Sequence, residues 1–307
     1  MPAVTLPIAF AILASAPTSA EAPPVEIDAL AMAALARSET PWRESEEFHL
    51  RIRAGAWFAR LNGNLQVGSA GTTITEETTL NLNDSEAAFL GEAVATWHSF
   101  RAQLDGFSFA TSGSATASTA AVIGPIAVAP GDILASTADL WSVGASIGYD
   151  FLRPYSDQVW PCSARSRRTS NVRSDGDYQG DLSFFGLVGG RCIGISQSIN
   201  DQTSAQATSF DITAGYATVG GGLDVLVPLD ELLPIGRTLS ISGQAQWGTG
   251  FTDDQWMLAV QATLTVQFTD YLSAFFGYRL LDFNAVQGGN SLDGSLQGLT
   301  LGATLRF

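Results

Sequence analysis

From about residue 50 onward, apolar and polar residues alternate along the chain with a period of two. The clearest segment is 255–268, whose even positions are all apolar, from Trp256 to Phe268, and whose odd positions are small or polar except for Met257. Successive side chains of a β-strand point to opposite faces of its sheet, so this period predicts strands. The pattern predicts ten of them, at 50–61, 86–98, 101–111, 139–152, 181–196, 208–227, 238–248, 255–268, 271–283 and 294–307.

The two faces of these strands differ in a way that indicates a membrane. One face carries Gly, Ser, Thr and Gln with few charges, which suits a narrow lumen, and the other is apolar with aromatic residues near its ends. An apolar face framed by aromatic residues is typical of strands that contact lipid. We therefore predict an all-β fold, a closed antiparallel transmembrane β-barrel of about ten strands, with eight or twelve as alternatives. A soluble extracytoplasmic β-sandwich is the competing fold, because its strands also alternate.

The lengths of the connections predict how the barrel is oriented. Transmembrane barrels have short periplasmic turns and long outer loops. The short turns at 98–100 and 269–271 therefore belong in the periplasm. The predicted outer loops are then 62–85, 112–138, 197–207, 249–254 and 284–293. The segment 153–180 falls on the periplasmic side by counting although it is long, and the sequence leaves its side and role open.

The first 48 residues predict export. Residues 1–20 have a short apolar stretch from Leu6 to Ala16 and small residues up to Ala20, which is the composition of a signal peptide. No positive charge follows Met1, and an ordinary apolar helix is the alternative. Residues 21–48 contain prolines and an acidic run, which predict a flexible periplasmic arm. We expect a signal peptide cleaved near Ala20 and a barrel over 49–307, in the bacterial outer membrane.

Composition excludes several classes of chemistry. The net charge of −15 makes binding of nucleic acid unfavourable, because both partners would be acidic. All 15 basic residues are Arg, which excludes an active-site lysine. Two cysteines and two histidines give little basis for a zinc site, and we expect no metal and no cofactor. Cys162 and Cys192 either form a disulfide in an oxidising compartment or remain two separate thiols.

Several charged side chains fall on the inner face of the predicted strands. An Arg on the lipid face near the midplane costs roughly 2–4 kcal/mol, so the lumen is the favoured location. The residues of this predicted lumen cluster are Glu92, Asp105, Arg191, Arg279 and Arg306. They either fill a narrow barrel with salt bridges or form a selectivity filter for a small solute.

The C-terminal sequence LTLGATLRF alternates and ends in an aromatic residue. It resembles the β-signal of bacterial outer-membrane β-barrel proteins, and this resemblance implies that the barrel-assembly machinery reads Leu301, Ala303, Leu305 and Phe307. The stretch 220–307, with Leu272-Ser273 after a tight turn and then Gly277-Tyr278-Arg279, resembles a recurrent element of uncharacterised proteins of the same kind. The resemblance brings no activity with it.

These features favour a non-catalytic protein that is structural or forms a narrow channel, with outer-membrane lipid and the assembly machinery as partners. About ten strands leave a lumen that side chains mostly fill, which disfavours a wide porin. A receptor or adhesion surface on the outer loops is one alternative. An outer-membrane hydrolase is another, but His49 and His98 both fall at the periplasmic end, away from where such enzymes place their catalytic histidine.

Overall fold

The computed structural model describes residues 48–97, 99–152, 181–228, 238–252, 254–269 and 271–307. The predicted signal peptide (1–20), all of the predicted arm except Phe48, and the segment 153–180 lie outside these residues. The strands are, in chain order, β1 (Phe48–Gln66), β2 (Ile74–Thr75), β3 (Glu86–Trp97), β4 (Phe100–Thr116), β5 (Ala121–Ile123), β6 (Ile126–Val128), β7 (Ile133–Leu152), β8 (Asp181–Asp201), β9 (Gln206–Pro228), β10 (Thr238–Gly250), β11 (Trp256–Gln267), β12 (Leu272–Gln287) and β13 (Asn290–Arg306). One helical turn, α1 (Glu76–Thr79), follows β2.

Ten of these strands form a closed antiparallel barrel. Each long strand pairs with the next along the chain, in the order β1, β3, β4 and then β7 to β13. The barrel closes because β13 also pairs with β1, from Arg51 opposite Arg306 to Gln66 opposite Ser291. The predicted fold class is therefore confirmed, and each predicted strand corresponds to one strand of the barrel. Among the described residues, no helix is long and apolar enough to cross a membrane.

The outer surface of the barrel carries an apolar band between two rings of aromatic side chains. We call the end at which β1 begins and β13 ends the proximal end, and the opposite end the distal end. One ring lies at the proximal end and the other about halfway along the strands, and all of their members are at least 38% exposed. The proximal ring contains Phe48, Trp97, Phe100, Tyr149, Phe268 and Phe307, and the second ring contains Phe58, Phe89, Trp141, Trp247, Trp256 and Tyr278. This band is the lipid-facing surface of a transmembrane barrel, and we call this part the membrane zone.

Beyond the second ring, the polarity of the strands reverses. In β1, the outward positions change from Ala56 and Phe58 to Arg60 and Asn62, while Leu61 on the inner face is fully buried. The other strands that extend past the ring change in the same way, so that polar residues face outward and Leu, Ile and Phe face inward. We call this part the distal zone. It has the surface of a water-soluble barrel, so the strands extend out of the membrane.

This reversal makes some of the predicted loops wrong. The predicted loop 197–207 is strand except for the turn at 202–205, and the predicted loop 284–293 is strand except for Gly288 and Gly289. The alternation continues through both segments with its two faces exchanged. Because the prediction required apolar residues on the outward face, it placed the ends of these strands too early.

Two connections fold over the distal end and fill it. In the first, which joins β1 to β3, Leu80 and Leu82 are fully buried inside the barrel. In the second, which lies within the predicted outer loop 112–138, β5 and β6 form a hairpin whose Ile123 and Ile126 are buried. Backbone hydrogen bonds join the two connections, from Thr72 N to Val122 O at 2.8 Å and from Gly124 N to Val67 O at 3.1 Å. We call these two connections the distal plug.

The plug and the inward side chains of the distal zone form one apolar core. It includes Trp57, Leu61, Phe107, Ile195, Tyr216 and Phe283, which come from five different strands. An apolar interior of this kind is packed as densely as the core of a soluble protein. The lumen is therefore polar in the membrane zone and filled with apolar side chains in the distal zone.

Candidate functional site

The polar part of the lumen is centred on one carboxylate that binds two arginines. Nη2 of Arg191 on β8 lies 2.7 Å from both carboxylate oxygens of Asp105 on β4, and Nη1 donates to Ser142 Oγ at 3.0 Å. Nη2 of Arg279, from β12 on the other side of the barrel, lies 2.7 Å from Asp105 Oδ2. All three charged side chains are at least 93% buried. We call them the Asp105 triad.

A glycine between the strands allows the first of these pairs to form. Asp105, Gly144 and Arg191 are cross-strand neighbours on β4, β7 and β8. Side chains of strands two apart do not normally meet, because a residue of the middle strand lies between them. Without a side chain at Gly144, Arg191 reaches across β7 to Asp105. A Cβ at this position would lie 2.7 Å from Arg191 Nη2 and 2.9 Å from Asp105 Oδ1.

We expect Gly144→Ala to lower the free energy of unfolding by about 1–3 kcal/mol, the usual cost of overpacking a filled interior. The added methyl group displaces the Arg191 guanidinium from Asp105. Urea unfolding of the detergent-solubilised protein measures this change. Gly243→Ala is the matched control, because Gly243 lies on the outward face of β10 with no atom within 4 Å of the added Cβ. Equal stability of the two variants would contradict this role of Gly144.

Three further groups of charged residues point into the lumen of the membrane zone. Glu92 Oε1 pairs with Arg53 Nη1 at 3.3 Å and with Arg51 Nη2 at 3.4 Å. Arg101 pairs with Asp224 at 2.8 Å and with Asp150 at 3.4 Å, and its guanidinium lies 3.7 Å from the centre of the Phe185 ring. Arg306 Nη1 donates to Gln267 Oε1 at 2.9 Å.

These groups give the lumen an excess of positive charge, although the whole chain is acidic. Of the residues that the structure describes, six arginines and four carboxylates point into the membrane zone of the lumen. They are Arg51, Arg53, Arg101, Arg191, Arg279, Arg306, Glu92, Asp105, Asp150 and Asp224. This part of the lumen therefore favours anions over cations.

All five residues of the predicted lumen cluster lie inside the barrel, but they do not form one site. The structure brings Asp105, Arg191 and Arg279 together, whereas Glu92 pairs with Arg51 and Arg53, and Arg306 lies near the proximal end. The predicted cluster omitted five charged residues of the lumen, which are Arg51, Arg53, Arg101, Asp150 and Asp224. Their alternation with outward residues such as Leu50 and Ile52 was the signal that could have found them.

The other predicted positions have different locations. The side chains of Leu301, Ala303, Leu305 and Phe307, the predicted assembly signal, are exposed on the lipid-facing surface of β13. Cys192 is half-buried on β8, and Cys162 lies outside the described residues, so their disulfide stays a prediction. His49 lies on β1 at the proximal end, and His98 is outside the described residues. Within the described ranges, no three His, Cys, Asp or Glu residues are placed to hold a metal ion.

The distal zone contains the buried carboxyl group of Glu76. Glu76 begins α1 in the distal plug, is fully buried, and accepts a hydrogen bond from Gln197 Nε2 at 3.1 Å. Its other oxygen, Oε1, is buried without a hydrogen-bond partner among the described residues. Burial raises the pKa of Glu76 to about 7, and the hydrogen bond from Gln197 opposes this rise only in part.

No family model and no curated protein matches the chain significantly. Among solved structures, the outer-membrane protease OmpT of Escherichia coli is 8% identical, with a TM-score of 0.40, over 86% of this chain and 99% of its own. The attachment invasion locus protein Ail of Yersinia pestis is 11% identical (TM-score 0.31) over 85% of this chain and 99% of its own. The transport unit of the autotransporter AIDA-I from Escherichia coli is 12% identical (TM-score 0.37) over 89% and 96%.

Proposed function

We propose that this protein is a non-catalytic structural barrel of the bacterial outer membrane that does not conduct solutes across it. The observation that supports this function is the apolar core of the distal zone. Its inward side chains and the distal plug fill the lumen above the Asp105 triad. A solute that entered from the proximal end would meet Trp57 and Phe107, whose rings pack edge to face with their centres 5.0 Å apart.

The charged groups of the membrane zone fit a structural role. Asp105 binds two arginines from different strands, Arg191 on β8 and Arg279 on β12. Glu92 on β3 binds Arg51 and Arg53 of the neighbouring strand β1. The pair between Asp105 and Arg279 joins opposite sides of the barrel, and all of these pairs favour one register of its strands. On this proposal the proximal end faces the periplasm, the distal zone extends outside the cell, and the assembly machinery recognises Leu301, Ala303, Leu305 and Phe307.

We expect no steady current when the purified protein is inserted into a planar bilayer in molar KCl. The apolar core of the distal zone excludes water and ions, so insertion alone does not open a path. Insertion is verified separately by quenching of tryptophan fluorescence with brominated lipid, because Trp97, Trp141 and Trp247 are exposed on the lipid-facing surface. Reproducible conductance steps from inserted protein would overturn the proposal and favour a narrow channel.

A non-catalytic role is part of the same proposal. The buried charges of the lumen are engaged with one another, and the route to them from the distal side passes through the apolar core. A catalytic carboxylate or histidine needs access to its substrate. A substrate coming from outside would not reach these groups.

A further inference from the structure

We propose that the lumen beside Arg279 binds a single small monovalent anion of the halide class. A cavity of about 10 Å³ lies inside the barrel between the Asp105 triad and four glutamines. The glutamines that line it are Gln103, Gln244, Gln246 and Gln261. The cavity is in the membrane zone, below the apolar core.

Arg279 provides the charge for this site. Its side chain is 97% buried, and only Nη2 is used in the pair with Asp105. Nη1 and Nε are buried and have no hydrogen-bond partner among the described residues. Guanidinium N–H groups are donors only, so they require an acceptor.

The protein groups around the cavity do not neutralise the positive charge of the arginines. Asp105 already binds Arg191 and Arg279, which together exceed its charge by one. Its cross-strand neighbour Glu92 is in the same position, because it binds both Arg51 and Arg53. Positive charge buried without compensation is costly, and an anion in the cavity would offset that cost.

The size and lining of the cavity determine the class of anion. A volume near 10 Å³ holds about one water-sized sphere, which excludes phosphate, sulfate and carboxylates. The side-chain amides of the four glutamines can turn their NH₂ groups inward as further donors. A compact single-atom anion surrounded by guanidinium and amide donors fits these constraints.

The first test is crystallographic. We expect full-length protein crystallised from sodium bromide in place of chloride to show one anomalous bromine peak beside Arg279, within the ring of glutamines. Density without anomalous signal at that place would show that water occupies the cavity, and it would overturn the proposal. A bromine peak only at other positions, an adventitious ion only, would also overturn it.

The second test is made in solution. We expect the midpoint of thermal unfolding in detergent to rise and then saturate when sodium gluconate is replaced by sodium chloride at constant ionic strength. Arg279→Gln should abolish this rise, while Arg60→Gln, which removes an exposed arginine from the outward face of β1, should keep it. A rise of equal size in the Arg279→Gln protein, or no rise in the unmodified protein, would contradict halide binding at this site.

Discussion

Asp105→Asn is expected to lower the free energy of unfolding by about 3–5 kcal/mol, the cost of removing one partner from a buried ion pair. Among the described residues, Asp105 is the partner through which Arg191 and Arg279 reach each other across the lumen, with both N–O distances at 2.7 Å. Asparagine keeps the shape of the side chain and one acceptor oxygen, but it leaves both arginines without a carboxylate. Urea unfolding of the detergent-solubilised barrel, followed by tryptophan fluorescence and by the heat-dependent shift of the band in gel electrophoresis, measures the loss.

The control for this variant is Asp139→Asn. Asp139, like Asp105, is an aspartate on a strand of the barrel. It lies on β7, and its side chain is exposed on the outward face of the distal zone. Substitutions at exposed positions without such partners usually change stability by about 0.5 kcal/mol or less. If Asp105→Asn unfolds at the same urea concentration as Asp139→Asn, the triad does not stabilise the barrel and its structural role is wrong.

The fold could be predicted from the sequence because alternation with a period of two survives in both zones of the barrel. What the pattern did not predict is the exchange of the two faces partway along the strands that extend past the second ring. In β1 the inward side changes from Arg51 and Arg53 to Trp57 and Leu61, a change that marks the membrane boundary once the barrel is known. Because a one-sided interpretation looks for apolar residues on one face only, the distal ends of the strands were assigned to loops.

For the site, the sequence predicts only on which face of the strands its residues lie. Parity along β4, β8 and β12 places Asp105, Arg191 and Arg279 inside a barrel, but it does not say which of them meet. Arg279 reaches Asp105 over 174 positions of sequence because the closed barrel brings β12 opposite β4. Arg191 reaches the same carboxylate because the register puts Gly144 between them. Both contacts depend on closure and register, which local patterns do not fix.

The stability of the distal plug depends on pH, because burial favours the neutral, protonated form of the Glu76 carboxyl group. Folding raises the pKa of Glu76 from its ordinary value of 4.5 to about 7, since burial disfavours the charged form. Between these values the closed plug binds more protons than the open one, so its stability falls as pH rises. The fall is complete above pH 7 and amounts to about 3 kcal/mol for a pKa difference of this size. At pH 4 the penalty is absent.

Glu76→Gln should therefore stabilise the closed plug at pH 8 by about 3 kcal/mol and leave it nearly unchanged at pH 4. Glutamine keeps the contact with Gln197, which lies 3.1 Å from Glu76 Oε2, and it carries no charge at either pH. Hydrogen exchange of the amides of 74–82, compared between the variant and the unmodified protein at each pH, measures the effect. Glu77→Gln, which removes a charge from the same helical turn at a position that is only half-buried, should reproduce the unmodified protein. Equal protection of the Glu76→Gln and unmodified plugs at pH 8 would show that Glu76 is not buried as a carboxylate there.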